Sequence, residues 1–208
     1  LVPQGGNTGL VGGQLPDQQN CQIVVSLNRM NKIRSVSPTS NSMMLDAGVT
    51  LLEAQEAADS HDRLFPLSLA SEGSCQIGGN ISSNAGGIQV LKYGMMRDLV
   101  LGLEVVLPSG EIWQGMTDLR KDNTGYDLKH LFMGAEGTLG IITGATLKLF
   151  PKPVERQVGF VGCASLEKLS EFFNFVSGET GSFLVAFEMI CRTGIEFVLK
   201  HGSQKAEP

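Results

Sequence analysis

No lysine or arginine occurs before Arg29, and none lies between Pro66 and Leu91. The chain has no G-x-G-x-x-G run, because no two of its glycines stand two residues apart, and it has no Gly-Lys pair. These gaps exclude the dinucleotide fingerprint and the P-loop as ways of holding a phosphate. The four cysteines, Cys21, Cys75, Cys163 and Cys191, form no C-x-x-C, and His61, His130 and His201 form no ligand pair. Buried free thiols in a reducing compartment are therefore expected, with no metal site and no disulfides. No signal-peptide pattern is seen. The longest apolar run, Leu99 to Leu107, is interrupted by Glu104 and falls far short of the ~20 residues a membrane-spanning helix needs. A net charge of -5 argues against nucleic acid or an anionic membrane as partner. Hydrophobic content of 42% with 18% charge is a soluble globular composition, compatible with a cytoplasmic or mitochondrial-matrix protein. The length, 208 residues, allows one sizeable core and part of a second domain.

Glycine is what the chain has in excess, at 26 residues against a usual ~7% of composition. Five of them fall between Gly5 and Gly13 in PQGGNTGLVGG, and five more between Gly73 and Gly87 in EGSCQIGGNISSNAGG. Ordered glycine clusters mark positive φ or close backbone approach. The second stretch reads as a turn feeding the first turn of a helix, near Ser74 or Gln76, whose free amides and partial positive charge suit an anion. The alternative is a small-residue loop packed under another element. Recurrence of the pattern in two cation-free loops favours one extended anion held by main-chain donors, such as a pyrophosphate. Each N–H given to a charged oxygen is worth roughly 1.5–3 kcal/mol, so several can replace a lysine.

Elsewhere the signals are structural. Leu1 and Val2 read as the end of a strand whose beginning precedes the sequence, so the chain reads as a fragment. Cys21–Leu27 and Ser42–Val49 read as strands, with a polar turn over Asn28–Pro38 between them. Thr50-x-x-Glu53 is a capping box opening a helix to about His61. Gly86-Gly87 ends the short helix of the glycine stretch. Leu99–Leu107 and Glu111–Gln114 flank Pro108-Ser109-Gly110 as a hairpin, with Trp113 packing on it. Asp127 can cap a short helix carrying Leu128, Leu131 and Phe132, and Leu139–Phe150 reads as one long strand. Pro151 and Pro153 bracket Lys152 and make a stiff linker or domain boundary. Beyond them, a strand over Arg156–Gly162, a helix from Ser165 with an apolar stripe, a strand over Leu184–Met189 and a helix over Thr193–His201 suggest a β-α-β-α tract. Gln204–Pro208 reads as a cut or disordered end.

Four segments, PQGGNTGLVGG, EGSCQIGGNISSNAGG, YGMMRDLVLGLEVVLPSGE and RKDNTGYDLKHLFMGAEGTLGIIT, resemble in sequence and order the FAD-linked oxidases of the vanillyl-alcohol oxidase and p-cresol methylhydroxylase superfamily. Within it they are most similar to the D-2-hydroxyacid dehydrogenases: those of D-2-hydroxyglutarate and D-lactate, and the D subunit of glycolate oxidase. The resemblance runs over about residues 1–150. It implies an α/β (α+β) flavoprotein. Residues 1–152 would form an FAD-binding domain of two α/β subdomains, lacking its N-terminal strand and helix, and 153–208 the start of a substrate cap. Pro3, Gly5, Gly6, Asn7, Thr8, Gly9 and Leu10 match the family's first pyrophosphate loop. Gly73, Ser74, Ile77, Gly78, Gly79, Asn80, Ser83, Asn84 and Gly86 match its second, and Gly140 and Ile142 the strand lining the flavin. Ser74 and Asn84 can add side-chain hydrogen bonds, while Glu72 and Glu136 should point away from the diphosphate. Some members tether FAD through a histidine where this chain has Asn7, so non-covalent FAD is implied. The implied reaction is oxidation of a D-2-hydroxy acid to the 2-oxo acid, with electrons passing to an electron-transfer flavoprotein, quinone or cytochrome; a homodimer is compatible. No catalytic residue is identified. Lys121 and Tyr126, near the implied flavin region, read first as structural. A non-redox flavoenzyme or a flavin-binding subunit of the same superfamily is the alternative.

Overall fold

The computed structural model describes residues 1–19 and 21–202. Its main sheet has five strands: β3 (Ile33–Ser37), β4 (Ser42–Asp46), β6 (Val100–Val106), β7 (Ile112–Gly115) and β8 (Ile141–Lys148). Their spatial order is β3-β4-β8-β6-β7, and every pairing is antiparallel. Alternation along the strands selects the core face. Met43 and Leu45 of β4, Leu103 and Val105 of β6, and Ala145 and Leu147 of β8 are almost fully buried. Burying each larger side chain contributes roughly 1.5–3 kcal/mol relative to leaving it in water. Two helices supply further core residues: α1 (Leu51–Asp59) gives Leu51, Ala54 and Ala58, and α2 (Ile77–Ser82) gives Ile77 and Ile81.

Two small pairs flank the sheet. β1 (Val2–Gln4) and β2 (Val24–Ser26) run parallel with Val2 opposite Val24. β5 (Arg63–Leu64) pairs antiparallel with β9 (Phe150–Pro151). The remaining elements are α3 (Val90–Tyr93), a 3-10 turn over Met96–Leu99, α4 (Lys129–Phe132), α5 (Leu166–Thr180), a 3-10 turn over Gly181–Phe183, and α6 (Arg192–His201). The result is the mixed α/β class that the sequence implies. Among the described residues no helix is long and apolar enough to cross a membrane.

Several local expectations hold. Thr50 and Glu53 form the full capping box of α1, and Trp113 packs on the hairpin, its ring 5.5 Å from that of Phe132. Others need correction. Strand β3 lies inside the stretch read as a polar turn, because β4 offers it a partner edge. Asp127 does not cap α4; its carboxylate is drawn to Lys129 and His130 instead. Pro151 lies in the β5–β9 pair, opposite Arg63, at a short edge strand of the kind that tolerates proline. Arg156–Gly162 and Leu184–Met189 form no strands, since no neighbouring backbone pairs with them among the described residues. The apolar stripe of α5 is not core: no residue of α5 or α6 is buried, although Phe172 and Phe173 both lie against Phe187. Only Cys75 of the four free cysteines is buried. Gln204–Pro208 lies outside the described residues.

Candidate cofactor site

Helix α2 starts where the glycine stretch predicts, with Gln76 at its N-cap. Of its first-turn amides, those of Ile77 and Gly78 are taken by the carbonyls of Val49 and Ala47, at 2.9 and 2.7 Å. These bonds dock the helix on the segment after β4. They also require Gly78, since a β-carbon there would stand 2.8 Å from that of Ala47. The Gly79 amide finds no acceptor among the described residues, and a β-carbon on Gly79 or Gly73 would meet nothing within 4 Å. The expected free helix start is therefore narrower than the sequence suggests, with Gly79 at its open point.

The first glycine loop lies across this opening. A β-carbon on Gly5 would be 3.3 Å from Oε1 of Gln76 and 3.8 Å from the Gly79 nitrogen; one on Gly6 would collide with the Ser74 carbonyl. Asn7 adopts φ 54°, a left-handed conformation that asparagine tolerates. Glutamines staple the loop to itself. Gln14 Nε2 donates to the Gly9 carbonyl at 2.8 Å and to Asn7 Oδ1 at 3.2 Å, and Gln4 Nε2 donates to the Gln14 carbonyl at 2.9 Å. Pro3 and Thr8 are half-buried, and Leu10 is fully exposed.

A third glycine segment, following α4, closes the arrangement. The amides of Gly134 and Glu136 donate to the carbonyls of Ile81 and Ser82 at the end of α2. A β-carbon on Gly137 would be 2.8 Å from Cγ of Pro3, and one on Gly13 would be 3.5 Å from the Glu136 carboxylate. Segments more than sixty residues apart thus meet at one six-residue helix. Glu72 turns toward α1, where Gln55 donates to it at 3.4 Å; Glu136 stands beside the first loop.

The side chains singled out in the sequence divide between cradle and scaffold. Ser74 is exposed beside Gly73. Ser83 donates back to the Gly79 carbonyl at 2.8 Å, and Asn84, at φ 46°, accepts from the Arg97 amide at 2.9 Å, so both brace α2. Gly86 packs against Met95, while Gly140 and Ile142 pack against Val105 of β6. Lys121 and Tyr126 are exposed and make no hydrogen bond to the glycine segments among the described residues. Two buried acceptors lack partners, Gln76 Oε1, which lies beside Gly5, and Asn80 Oδ1 of α2. Sequence reasoning named Gln76 only as a possible helix start and gave its side chain no role; its Nε2 donates to Asn28 Oδ1 at 2.7 Å and fixes the amide in place. A glutamine amid small residues is the one signal that could have found it.

The sheet beneath carries one charge network. Arg34 reaches Asp46 at 2.7 Å and forks onto Glu104 at 2.9 and 3.1 Å, and Thr143 donates to Glu104 at 2.8 Å. The Arg34 hydrogen bonds hold the Glu104 carboxyl down at about 2, although partial burial acts the other way. Arg34 lies flat over Gly144, where a β-carbon would be 2.8 Å from its Nη2. This network ties β3, β4, β6 and β8 together behind the cradle.

An open cradle of main-chain donors, with no lysine or arginine in the first glycine loop or in α2 and with two buried acceptors left without partners, fits an extended dinucleotide diphosphate with its attached sugars. Fold and site together define a flavin-nucleotide-binding α/β domain. The chain belongs to the FAD binding domain family, whose model matches residues 1–115. It is 45% identical over 201 residues to the D-2-hydroxyglutarate–pyruvate transhydrogenase of Saccharomyces cerevisiae, an alignment that covers 97% of this chain and 40% of that protein. It is 44% identical over 201 residues to the mitochondrial D-2-hydroxyglutarate dehydrogenase of Danio rerio, covering 97% of this chain and 37% of that one. The chain thus spans about two fifths of the length of these relatives. Among solved structures, an alkyldihydroxyacetonephosphate synthase superposes with a TM-score of 0.65 at 28% identity, over 74% of this chain and 28% of that one.

Proposed function

We propose that this chain is the flavin-binding portion of an FAD-linked dehydrogenase that oxidises a D-2-hydroxy acid to its 2-oxo acid, with D-2-hydroxyglutarate or D-lactate as the leading substrates. The observation that carries the reading is the meeting of three glycine segments at α2, with the Gly79 amide and the space above Gly73 and Gly79 left free. The similarity to D-2-hydroxyglutarate enzymes supports the substrate class. Residues 153–208 are read as the beginning of a cap over the substrate. A mitochondrial setting follows the names of relatives such as the Danio rerio dehydrogenase, and the electrons would leave to a carrier flavoprotein, quinone or cytochrome.

FAD, when bound, supplies the two-electron acceptor that takes a hydride from the substrate α-carbon. The chain's own residues hold and orient it. Gly79 and the first-loop glycines would present amides to the diphosphate. Ser74 offers a hydroxyl at the same edge. Gln76 Oε1 and Asn80 Oδ1 can accept from sugar or ribityl hydroxyls, which relieves the cost of burying them unpaired. The base that takes the hydroxyl proton and the cations that hold the substrate carboxylate are assigned to the parts of the relatives' length beyond this chain.

The decisive test is anaerobic mixing of the full-length flavoprotein with each D-2-hydroxy acid while its visible absorbance is followed. Rapid bleaching by one D-acid, and not by its L-isomer, is expected. The likeness to the alkyldihydroxyacetonephosphate synthase favours a second reading, a non-redox flavoenzyme. A yellow protein that no hydroxy acid bleaches would replace the first reading with that one.

A further inference from the structure

The geometry points to Arg97 as a positioning residue that latches the third glycine segment onto α2, with His130 as the acceptor that makes the latch sensitive to protonation. This rests on the reading that the cradle holds the FAD diphosphate.

Arg97 sits in the Met96–Leu99 turn and is tied at both ends. Its backbone amide donates to Oδ1 of Asn84, the left-handed residue closing α2, at 2.9 Å. Its guanidinium spans to α4 and beyond. Nη2 donates to the Met133 carbonyl at 2.6 Å, and Nη1 donates to the His130 carbonyl at 2.9 Å. Nη1 also lies 3.1 Å from His130 Nδ1, a contact that requires an unprotonated, accepting Nδ1. Gly134 follows directly, with its amide on Ile81, and Glu136 with its amide on Ser82. Gly137 then packs on Pro3, and the Glu136 carboxylate stands against Gly13. The path from Arg97 to the first pyrophosphate loop is therefore a short run of direct contacts, and release of the guanidinium frees the far wall of the cradle. A lysine cannot replace the fork, because one ammonium cannot reach three acceptors in one plane.

His130 decides how firmly the fork holds. The groups facing it are Arg97 from the turn and Asp127 from the loop before α4, whose Oδ2 is 3.3 Å from Nε2; Lys129 binds the same carboxylate. Neutral His130 with its proton on Nε2 satisfies both neighbours. Protonation places an N–H at Nδ1 against the Nη1 donor, while the Asp127 contact is kept. The Arg97–Nδ1 contact is accordingly lost when Nδ1 takes up a proton.

The experiment uses the full-length protein with and without bound FAD. In Arg97→Ala the backbone tie to Asn84 survives, so the fold is retained. Hydrogen exchange at the Gly134 and Glu136 amides is expected to speed up by about tenfold or more, and FAD affinity to fall by about tenfold, the equivalent of a net charged hydrogen bond. Arg97→Lys should restore only part of either. His130→Asn keeps an acceptor where Nδ1 stands but cannot be protonated, so it should flatten the pH dependence of that exchange. Wild-type exchange at both amides in Arg97→Ala would overturn the latch. An unchanged pH profile in His130→Asn would overturn the protonation element. Failure of the wild-type full-length protein to take up FAD would count against the cofactor reading alone, since the exchange rates decide the latch without it.

Discussion

A β-carbon on Gly6 would stand 1.8 Å from the carbonyl oxygen of Ser74, so the first glycine loop lies directly on the turn that leads into α2. Gly79, inside the helix, has open space where its β-carbon would go. From sequence alone, valine at either glycine is expected to abolish FAD binding and spare the fold; the structure separates the two. Gly79→Val should keep its melting temperature within a few degrees and lose flavin, because the methyls fill only the cradle. Gly6→Val should lose flavin and also about 1–3 kcal/mol of stability, the usual cost of forcing a group into packed space. Thermal melts alongside flavin stoichiometry check both. Full flavin content in Gly79→Val would remove that glycine from the cradle.

Glu104 links the sheet's interior to acid stability. Its carboxyl titrates at about 2 in the folded chain, held down chiefly by the Arg34 hydrogen bonds, against an ordinary value of 4.5. Because the folded value is the lower one, the stabilisation is complete above about pH 4.5 and disappears as pH falls toward 2. Glu104→Gln should therefore destabilise the chain by about 2 kcal/mol at pH 7, and the difference from wild type should shrink as pH falls from about 4.5 toward 2. Urea melts at pH 7, 4 and 3 give the comparison. A difference that does not change with pH would show that the Arg34 pairing contributes nothing.

The capping box of α1 supplies a local control. The Thr50 hydroxyl accepts from the Glu53 amide at 3.2 Å, and Glu53 accepts from the Thr50 amide at 2.8 Å. Thr50→Ala removes the first of these and should cost about 1 kcal/mol, visible as a lower melting temperature with flavin content per folded molecule unchanged. Loss of flavin in that variant would mean that α1 acts on the cradle as well as on the core.

By the resemblance in sequence, Asn7 falls where some FAD-linked oxidases carry a tethering histidine, and an asparagine amide is not a nucleophile. The flavin of the full-length protein should therefore leave with acid. Precipitation followed by an absorbance spectrum of the supernatant is expected to recover all of the yellow colour. Colour retained in the pellet would mean a covalent bond at another residue.

Much of the backbone pattern around the candidate site was legible because its signals are local. Glycine clusters without cations, a helix beginning at Gln76, the Thr50-x-x-Glu53 box and the turn at Gly110 each depend on residues a few positions apart, and each is present. The elements that failed were those needing a distant partner. Arg156–Gly162 has strand composition, yet a strand exists only where another backbone completes its hydrogen bonds, and none does here among the described residues. Strand β3 is the converse case, drawn from a polar stretch by the free edge of β4.

By itself, then, the sequence determined where the backbone must be small and bendable, and so which segments can approach a diphosphate. Only the tertiary structure decided how those segments share the work. It committed the Ile77 and Gly78 amides to Val49 and Ala47, left Gly79 free, and brought Gly137 onto Pro3. The physical reason is that an amide's availability depends on which distant carbonyl reaches it first, and nothing in the local chain records that contact.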